Sequence, residues 1–436
     1  MRFFNRNKGK IHPDYNKKQS KDARMEDASV PELLYFYLST HIGKPAKPIV
    51  QKGDRVKAGA LIAKADAEIS SNVHSSVSGE VVSIEEKAYL GNEATCVVIK
   101  NDFRYDEAPP LFDVSTLPSP DEMREIIREA GIVGMGGAMF PTDVKLSAED
   151  ETPIKTLIVN GAECEPYSTS DHRLMIEHAN EIAKGISLIH ALFPIEKTLV
   201  AIENNSSESI KAMKNAVPNN NLFTVVSLPA AYPQGAEQVL IKQLLHKEIP
   251  SGKQPPAIGV LVMNVSTIFA VYEAITFGKP PLTRVVTVSG NKVARPRNLR
   301  ARLGTPVDSL VEDCGGFTEK PLKILHGGPM MGKVIDSRKI SVSGGTAVIT
   351  ALFKEDIRPK KTMDCIRCSA CLEVCPVGLQ PILIHNANAM KQFDQANALG
   401  ATDCIQCGNC TYSCPSGIEL LASIRHAMLT IKQKEQ

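Results

Sequence analysis

Two runs near the C-terminal end decide the reading: Cys365-Ile-Arg-Cys-Ser-Ala-Cys-Leu-Glu-Val-Cys-Pro376 and Cys404-Ile-Gln-Cys-Gly-Asn-Cys-Thr-Tyr-Ser-Cys-Pro415. Both have the spacing C-x2-C-x2-C-x3-C-P. Three thiolates this close together wrap one corner of an iron–sulfur cube, and the fourth, entering a helix, reaches across to the other cluster. One 4Fe-4S cluster is therefore expected on Cys365, Cys368, Cys371 and Cys414, and a second on Cys404, Cys407, Cys410 and Cys375. Zinc is the competing reading, but zinc motifs pair cysteines in C-x2-C couples, without a third close Cys and a trailing Pro. Structural disulfides are disfavoured, because these cysteines crowd into one short stretch and no secretory signal is visible. An electron carrier is the starting expectation.

Composition sets the frame for the rest. A chain of 436 residues exceeds one ordinary core and predicts about three or four domains. Three of the 11 cysteines, Cys96, Cys164 and Cys314, lie outside the two runs, which is the pattern of a reducing compartment. A formal net charge of +2, 5% aromatic residues and no Trp argue against a nucleic-acid partner. The most apolar long run, 258–278, carries Asn264, Ser266, Thr267 and Glu273, and reads as a buried strand and helix, not as a membrane span.

In chain order, residues 1–30 form a basic N-terminal tail, whose first 24 residues hold Arg2, Arg6, Lys8, Lys10, Lys17, Lys18, Lys21 and Arg24 against Asp14 and Asp22. It is expected to be solvated, the sharper alternative being a dock for an anionic membrane surface or an acidic partner. Residues 31–108 alternate short strands (61–63 and 81–84 among them) with glycine turns, a small all-β module. Its phrases at Gly53-Asp-Arg-Val56 and Ser78-Gly-Glu-Val81 resemble the turns of biotinyl- and lipoyl-type barrel-sandwich domains. Glu68 stands near the position of their modified Lys, so a structural or docking role is expected, not a swinging arm.

Residues 115–282 follow a Pro-rich linker. Ser119-Pro120-Asp-Glu opens a helix that Gly131 ends. Strands at 156–160, 197–202, 222–228 and 259–264 then alternate with helices at 171–189, 207–216, 235–246 and 266–277, predicting a Rossmann-like parallel sheet. Residues 283–345 hold strands at 283–289 and 322–326 around a short helix, 306–312, with Thr305 as its cap: a β-grasp-like unit. Residues 354–436 are the helical two-cluster domain. The fold class expected is thus multi-domain α/β.

A second chemical site gathers in the Rossmann-like part. Gly134, Gly136 and Gly137 free a loop to bring backbone N–H groups to a phosphate, with Lys145 supplying charge. This is neither G-x-G-x-x-G nor a P-loop, and such a loop alone is also a common tight turn. The first strand runs into Asn160-Gly-Ala-Glu-Cys-Glu165, and Tyr232-Pro-Gln-Gly-Ala-Glu237 and Asn264-Val-Ser-Thr267 are further strand-to-helix turns. All lie at the carboxyl edge of a parallel sheet, where ligands of open α/β sheets bind. Together they suggest a flavin or nicotinamide site: Asn and backbone amides for an isoalloxazine edge, Tyr to stack on it, Glu for ribose hydroxyls. Asp171, His172 and Arg173 read as helix capping and an ion pair, without a catalytic role.

These phrases resemble those of the FMN- and NADH-binding subunit of respiratory complex I and its diaphorase relatives. With the barrel-sandwich module before them, and Gly327-Gly-Pro-Met-Met-Gly332 and two cluster motifs after, the whole order resembles the RnfC family, the NADH- and FMN-binding iron–sulfur component of the Rnf/Rsx electron-transport complexes. The resemblance implies FMN contacts at Gly134, Gly136, Lys145, Asn160, Glu163, Tyr232, Gly235, Asn264 and Thr267. It places Phe140, Glu165 and Glu237 near the nicotinamide dinucleotide. Ala162 and Ala236 replace acids of the complex I phrases, which implies a looser hold on FMN.

The resemblance further implies a peripheral subunit at the cytoplasmic face of the inner membrane. NADH would be the substrate and FMN and two 4Fe-4S clusters the carriers. Integral-membrane and flavoprotein subunits and a ferredoxin-type iron–sulfur protein would be the partners. Two other readings stay open: a diaphorase-type subunit of a soluble oxidoreductase, and a flavin-free iron–sulfur relay module.

Overall fold

The computed structural model describes residues 9–147, 152–335, 337, 339–357 and 361–435. From residue 9 onward the N-terminal segment is not a solvated tail. Gly9, Ile11, Pro13, Lys17 and Ser20 are buried, and strand β1 (Glu26–Asp27) pairs in parallel with a strand of the third module. Lys10 and Lys17 are tied to other parts of the chain, which removes both from any docking surface. Arg2, Arg6 and Lys8 lie outside the described residues.

The first module contains β2 (Leu33–Tyr37), β3 (Lys47–Pro48), β4 (Arg55–Val56), β5 (Leu61–Lys64), β6 (Val73–His74) and the long hairpin β7 (Gly79–Tyr89) and β8 (Asn92–Asn101). Two sheets, ordered β2-β8-β7-β4 and β3-β5-β6, enclose Leu34, Phe36, Ile62, Val81 and Ile99. Alternation along each strand puts these side chains on the inner faces. The loop carrying exposed Glu68 ends at Asn72, whose amide donates to the Glu129 carbonyl at 3.2 Å. An added Cβ at Gly131 would lie 2.2 Å from the Asn72 carbonyl oxygen, so this junction with the next module is closely fitted.

In the second module, α1 (Pro120–Glu129) starts with a capping box between Ser119 and Glu122, and Gly131 follows its end at φ +64°. After α2 (Thr142–Leu146) come β9 (Thr156–Gly161), α3 (Ser170–Glu177), α4 (Ala179–Leu192), β10 (Lys197–Glu203), α5 (Ser207–Ala216), β11 (Phe223–Leu228), α6 (Glu237–Leu245), β12 (Val260–Asn264) and α7 (Val265–Phe277). The strands are parallel in the order β11-β10-β9-β12. Near-continuous apolar runs such as Leu157-Ile-Val159 bury both strand faces, as helices on both sides of a sheet require. Ile126, Ile186, Met213 and Ile268 cover one face from α1, α4, α5 and α7, while Leu240 and Ile241 of α6 cover the other. The single helix expected over 171–189 is two, broken at His178, whose φ of −131° is not helical.

The third module is one mixed sheet, ordered β1-β14-β13-β17-β15-β16, made of β13 (Thr283–Ser289), β14 (Arg297–Arg302), β15 (Lys323–His326), β16 (Lys333–Val334) and β17 (Val348–Leu352), with α8 (Val307–Asp313) against it. Because β17 sits between β13 and β15, the unit runs past the boundary expected at residue 345. Thr305 does not cap α8: Pro306 holds the N-cap position, and the buried Thr305 hydroxyl has no hydrogen-bond partner among the described residues. The last module comprises α9 (Ala370–Glu373), α10 (Pro381–Ala389), α11 (Phe393–Ala398), α12 (Asn409–Ser413) and α13 (Leu420–Glu435) around Ile384, Ala396, Ile424 and Ala427.

Candidate flavin edge and iron–sulfur module

Parallel pairing of β9 with β12 sets Asn160 beside Asn264 at the carboxyl edge of the sheet. The Asn160 amide donates to the Gly235 carbonyl at 2.9 Å, drawing the Tyr232–Glu237 turn onto the edge. Only glycine fits there, since a Cβ at Gly235 would stand 2.5 Å from the Ala162 carbonyl oxygen. Asn264 caps α7 by accepting from Ser266 N at 2.9 Å and donates its amide to Asp171 at 2.6 Å.

The glycine loop closes on itself through Gly134 N to the Phe140 carbonyl (2.8 Å) and is anchored by Met135 N donating to Thr267 Oγ1 (2.8 Å). Arg284 of β13 donates to the Met135 carbonyl at 3.0 Å. Gly136, Gly137 and Ala138 remain exposed, with Gly137 at φ +105° and open space where a Cβ would go. A Cβ at Gly136 would approach that of Asn264 to 3.3 Å, so the exposed backbone lies directly against the sheet edge. Lys145 reaches across to Glu237 at 2.5 Å. One cleft therefore brings together Gly134, Gly136, Gly137, Lys145, Asn160, Gly235, Glu237 and Asn264. The open glycine backbone fits a phosphate-bearing ring system such as a flavin mononucleotide, while Asn160 and Asn264 shape the edge through their own hydrogen bonds and Lys145 is paired with Glu237.

Four of the expected contacts have other work. The Glu163 carboxylate accepts from Ser168 Oγ (2.7 Å), Ser170 Oγ, Asp171 N and His172 N (3.2 Å each), so it caps α3, whose orphan N–H groups and dipole favour an anion. Glu165 accepts from Met330 N (2.6 Å) and Met331 N (3.2 Å), holding the Gly327–Gly332 loop of the third module. Burial outweighs those two donors and pushes its carboxyl up to about 7. Tyr232 is 2% exposed and donates its hydroxyl to the Cys407 carbonyl at 2.8 Å, facing the iron–sulfur module and not the cleft. Thr267 is buried beneath the loop it anchors.

Arg284 is a member of the site that sequence reasoning missed. It forms a buried ion pair with Asp171 at 3.6 Å, and Ser266 joins both. Burial raises the Asp171 carboxyl and the Arg284 charge opposes that rise. Its one sequence signal is a lone cation inside the apolar run of β13.

In the last module the two cysteine runs have matching backbones. Arg367 and Gln406 take φ of +57° and +56°, Ser369 and Gly408 of +61° and +79°. Arg367 N donates to Cys365 Sγ and Gln406 N to Cys404 Sγ, both at 3.4 Å. Cys365, Cys368, Cys371 and Cys414 line a cavity of about 430 Å³ with Leu372, Ile382 and Ile418 among its walls. Cys375 lies near Cys404, Cys407 and Cys410: burial leads in raising each of those three thiols, and Cys375 adds to the rise. Among the described residues no three His, Cys, Asp or Glu side chains are arranged around a single metal ion. Sulfurs spread around a cavity fit a polynuclear cluster, and N–H···S bonds are its usual surroundings.

Four family models match in succession: the RnfC barrel sandwich hybrid domain over 5–104, the Nuo51 FMN-binding domain over 127–273, the SLBB domain over 285–334 and the 4Fe-4S dicluster domain over 364–418. A Clostridium ljungdahlii protein, the C component of a proton-translocating ferredoxin:NAD+ oxidoreductase complex, is 42% identical over 380 residues, 86% of this chain and 83% of its own. The chain belongs to the RnfC family. The C component of the Acetobacterium woodii Na+-translocating ferredoxin:NAD+ oxidoreductase complex is 38% identical over 397 residues, 90% of each chain. Its counterpart in a Rhodobacter capsulatus ion-translocating oxidoreductase complex is 40% identical, covering 86% of this chain and 73% of its own. In fold, this RnfC chain is similar to a chain of an NAD+-reducing NiFe-hydrogenase, with TM-score 0.51 at 18% identity, over 74% of this chain and 64% of that one. It is thus one member of a multi-subunit oxidoreductase complex and carries an FMN-type domain and an iron–sulfur domain. Among the described residues no helix is long and apolar enough to cross a membrane.

Proposed function

We propose that this RnfC chain takes electrons from NADH at the glycine-loop cleft and passes them through its last module to partner subunits, or runs the same path in reverse. The observation that carries the reading is the Tyr232–Cys407 hydrogen bond, which joins the Gly235 turn of the cleft to a cysteine loop of the cluster module. FMN, when bound, turns a two-electron hydride donor into a source of single electrons, and each 4Fe-4S cluster carries one at a time.

The exposed backbone of Gly136 and Gly137, with Lys145, Asn160 and Asn264, would hold FMN. Glu237, beside Lys145, would face the nicotinamide dinucleotide. Cys375, Cys404, Cys407 and Cys410 would hold the cluster nearer this cleft. Cys365, Cys368, Cys371 and Cys414 would hold the outer one, since Cys365 and Cys368 are exposed. Nothing in the cleft needs a general base, because hydride transfer depends on alignment; the Asp171–Arg284–Ser266 set supplies it by fixing Asn264 and the Met135 carbonyl.

The partners we propose are integral-membrane and flavoprotein subunits and a ferredoxin-type iron–sulfur protein, met at the cytoplasmic face of the inner membrane. The test is anaerobic: load the protein with iron, sulfide and FMN, add NADH, and follow flavin bleaching together with cluster EPR. Bleaching followed by two reduced-cluster signals is expected. Clusters that assemble while NADH changes neither signal would leave only a flavin-free relay.

A further inference from the structure

We infer that residues 9–20 form a strap that holds the cluster module against the cleft-bearing module, with Gly9 and Ile11 as positioning residues for electron transfer. The strap touches three modules in twelve residues. Gly9 N donates to the Glu373 carbonyl at 2.8 Å, beside the Cys375–Pro376 turn. Gly9 sits at φ +84°, and a Cβ there would come within 2.9 Å of Pro376 Cα, so the approach requires glycine. Two residues on, Ile11 and Tyr232 exchange both backbone hydrogen bonds at 2.9 Å. The residue that reaches Cys407 with its hydroxyl is therefore held from behind by the strap.

Electrostatics explains why this segment is basic. Glu203 ends β10 at the same sheet edge, is 1% exposed, and accepts from Ala231 N at 3.3 Å. A buried carboxylate needs compensating charge. Lys17, itself only 9% exposed, donates to the Glu163 carbonyl, and Lys17 and Lys10 both interact with the Glu203 charge. Lys10 also donates to Gln234 at 2.7 Å and Gln243 at 2.5 Å. At its far end Ser20 enters a closed polar knot: its hydroxyl meets Thr169 Oγ1 at 2.8 Å and its carbonyl accepts from Asn298 at 3.0 Å, while Thr287 donates to Asn298 at 2.7 Å. The strap is thus pinned at the cluster module, the cleft module and the third module. Electron tunnelling falls steeply with separation, so an element fixing the Tyr232–Cys407 contact sets the transfer rate.

The test uses the full chain loaded with clusters and FMN, with Gly9→Ala, Ile11→Pro (which removes the N–H given to Tyr232) and Lys10→Met as variants. Amide exchange at 230–236 and 372–378 should rise about tenfold or more in the two backbone variants and less in Lys10→Met, while the sheet core at 157–160 keeps its protection. Wild-type protection at both segments in all three variants would overturn the strap. If a backbone variant fails to fold, Lys10→Met alone decides by the same criterion. NADH should bleach the flavin at an unchanged rate while cluster EPR signals grow more slowly; equal rates for both steps, as in wild type, would also overturn it. The kinetic arm rests on the proposed electron path. If wild type itself does not bleach, that path fails and the exchange arm still decides the strap.

Discussion

At the scale of single residues, Asp171 is the centre on which the cleft depends. Its carboxylate accepts from Asn264 and Ser266 and faces Arg284, all in the interior. Asp171→Ala would leave the Arg284 guanidinium buried without its anion. Uncompensated buried charge costs about 3–5 kcal/mol, so denaturant titration should show a loss of that order and FMN affinity should fall with it. Glu165 gives a pH signature. Its folded carboxyl is raised from 4.5 to about 7, so the stability it contributes is full below pH 4.5 and is lost as pH rises through 7. The isosteric Glu165→Gln variant removes this slope. Calorimetry at pH 5 and pH 8 should find wild type losing more stability than the variant, by at most roughly 3 kcal/mol. The cysteines are legible in the sequence because their geometry is local: thiols three residues apart are held together by one loop. The partners of Glu163, Glu165 and Tyr232 are not, because folding sets them. Position after a strand shows that a side chain reaches the sheet edge, not which neighbour it meets there.

At the scale of elements, spacing identifies the four strands of the parallel sheet and most of their helices, because apolar runs and caps are local signals. Breaks and close contacts are not. The His178 break inside the expected long helix reflects tertiary placement, as does the close approach of α4 to α7 at Gly185. A Cβ there would meet the Ile268 carbonyl oxygen at 2.6 Å and its Cγ2 at 2.8 Å. Helix propensity alone would make Gly185→Ala stabilising by about 1 kcal/mol. Overpacking against α7 costs about 1–3 kcal/mol, and a backbone carbonyl cannot swing aside as a flexible side chain can. The variant should therefore melt lower than wild type by thermal scanning, and an equal or higher Tm would show that α4 shifts freely. The strap is illegible in the sequence for a related reason. Its positive charge matches a buried carboxylate more than 180 residues away, and a basic run by composition looks the same whether it is solvated or paired.

At the scale of the whole molecule, four modules arrange the two cysteine sets at unequal depth. Cys410 is buried, and Cys404 and Cys407 are partly covered next to the Tyr232 turn. Cys365 and Cys368 are exposed, flanked by Met363 and Ile366 at 55% and 64% exposure. Exposed apolar side chains beside these two cysteines suit a transient partner surface more than a structural role. The inner set should therefore receive electrons first and the outer set should release them. Cys368→Ser, checked by iron content to retain one cluster, should still show an NADH-reduced EPR signal while failing to reduce a ferredoxin-type acceptor. Cys407→Ser, retaining the outer cluster, should leave that cluster oxidised after NADH, because the bridge from the cleft has lost its first carrier. The opposite pattern would reverse the order of carriers. It would also move the partner surface to the Tyr232 side of the module, beside the strap and the Gly327–Gly332 loop.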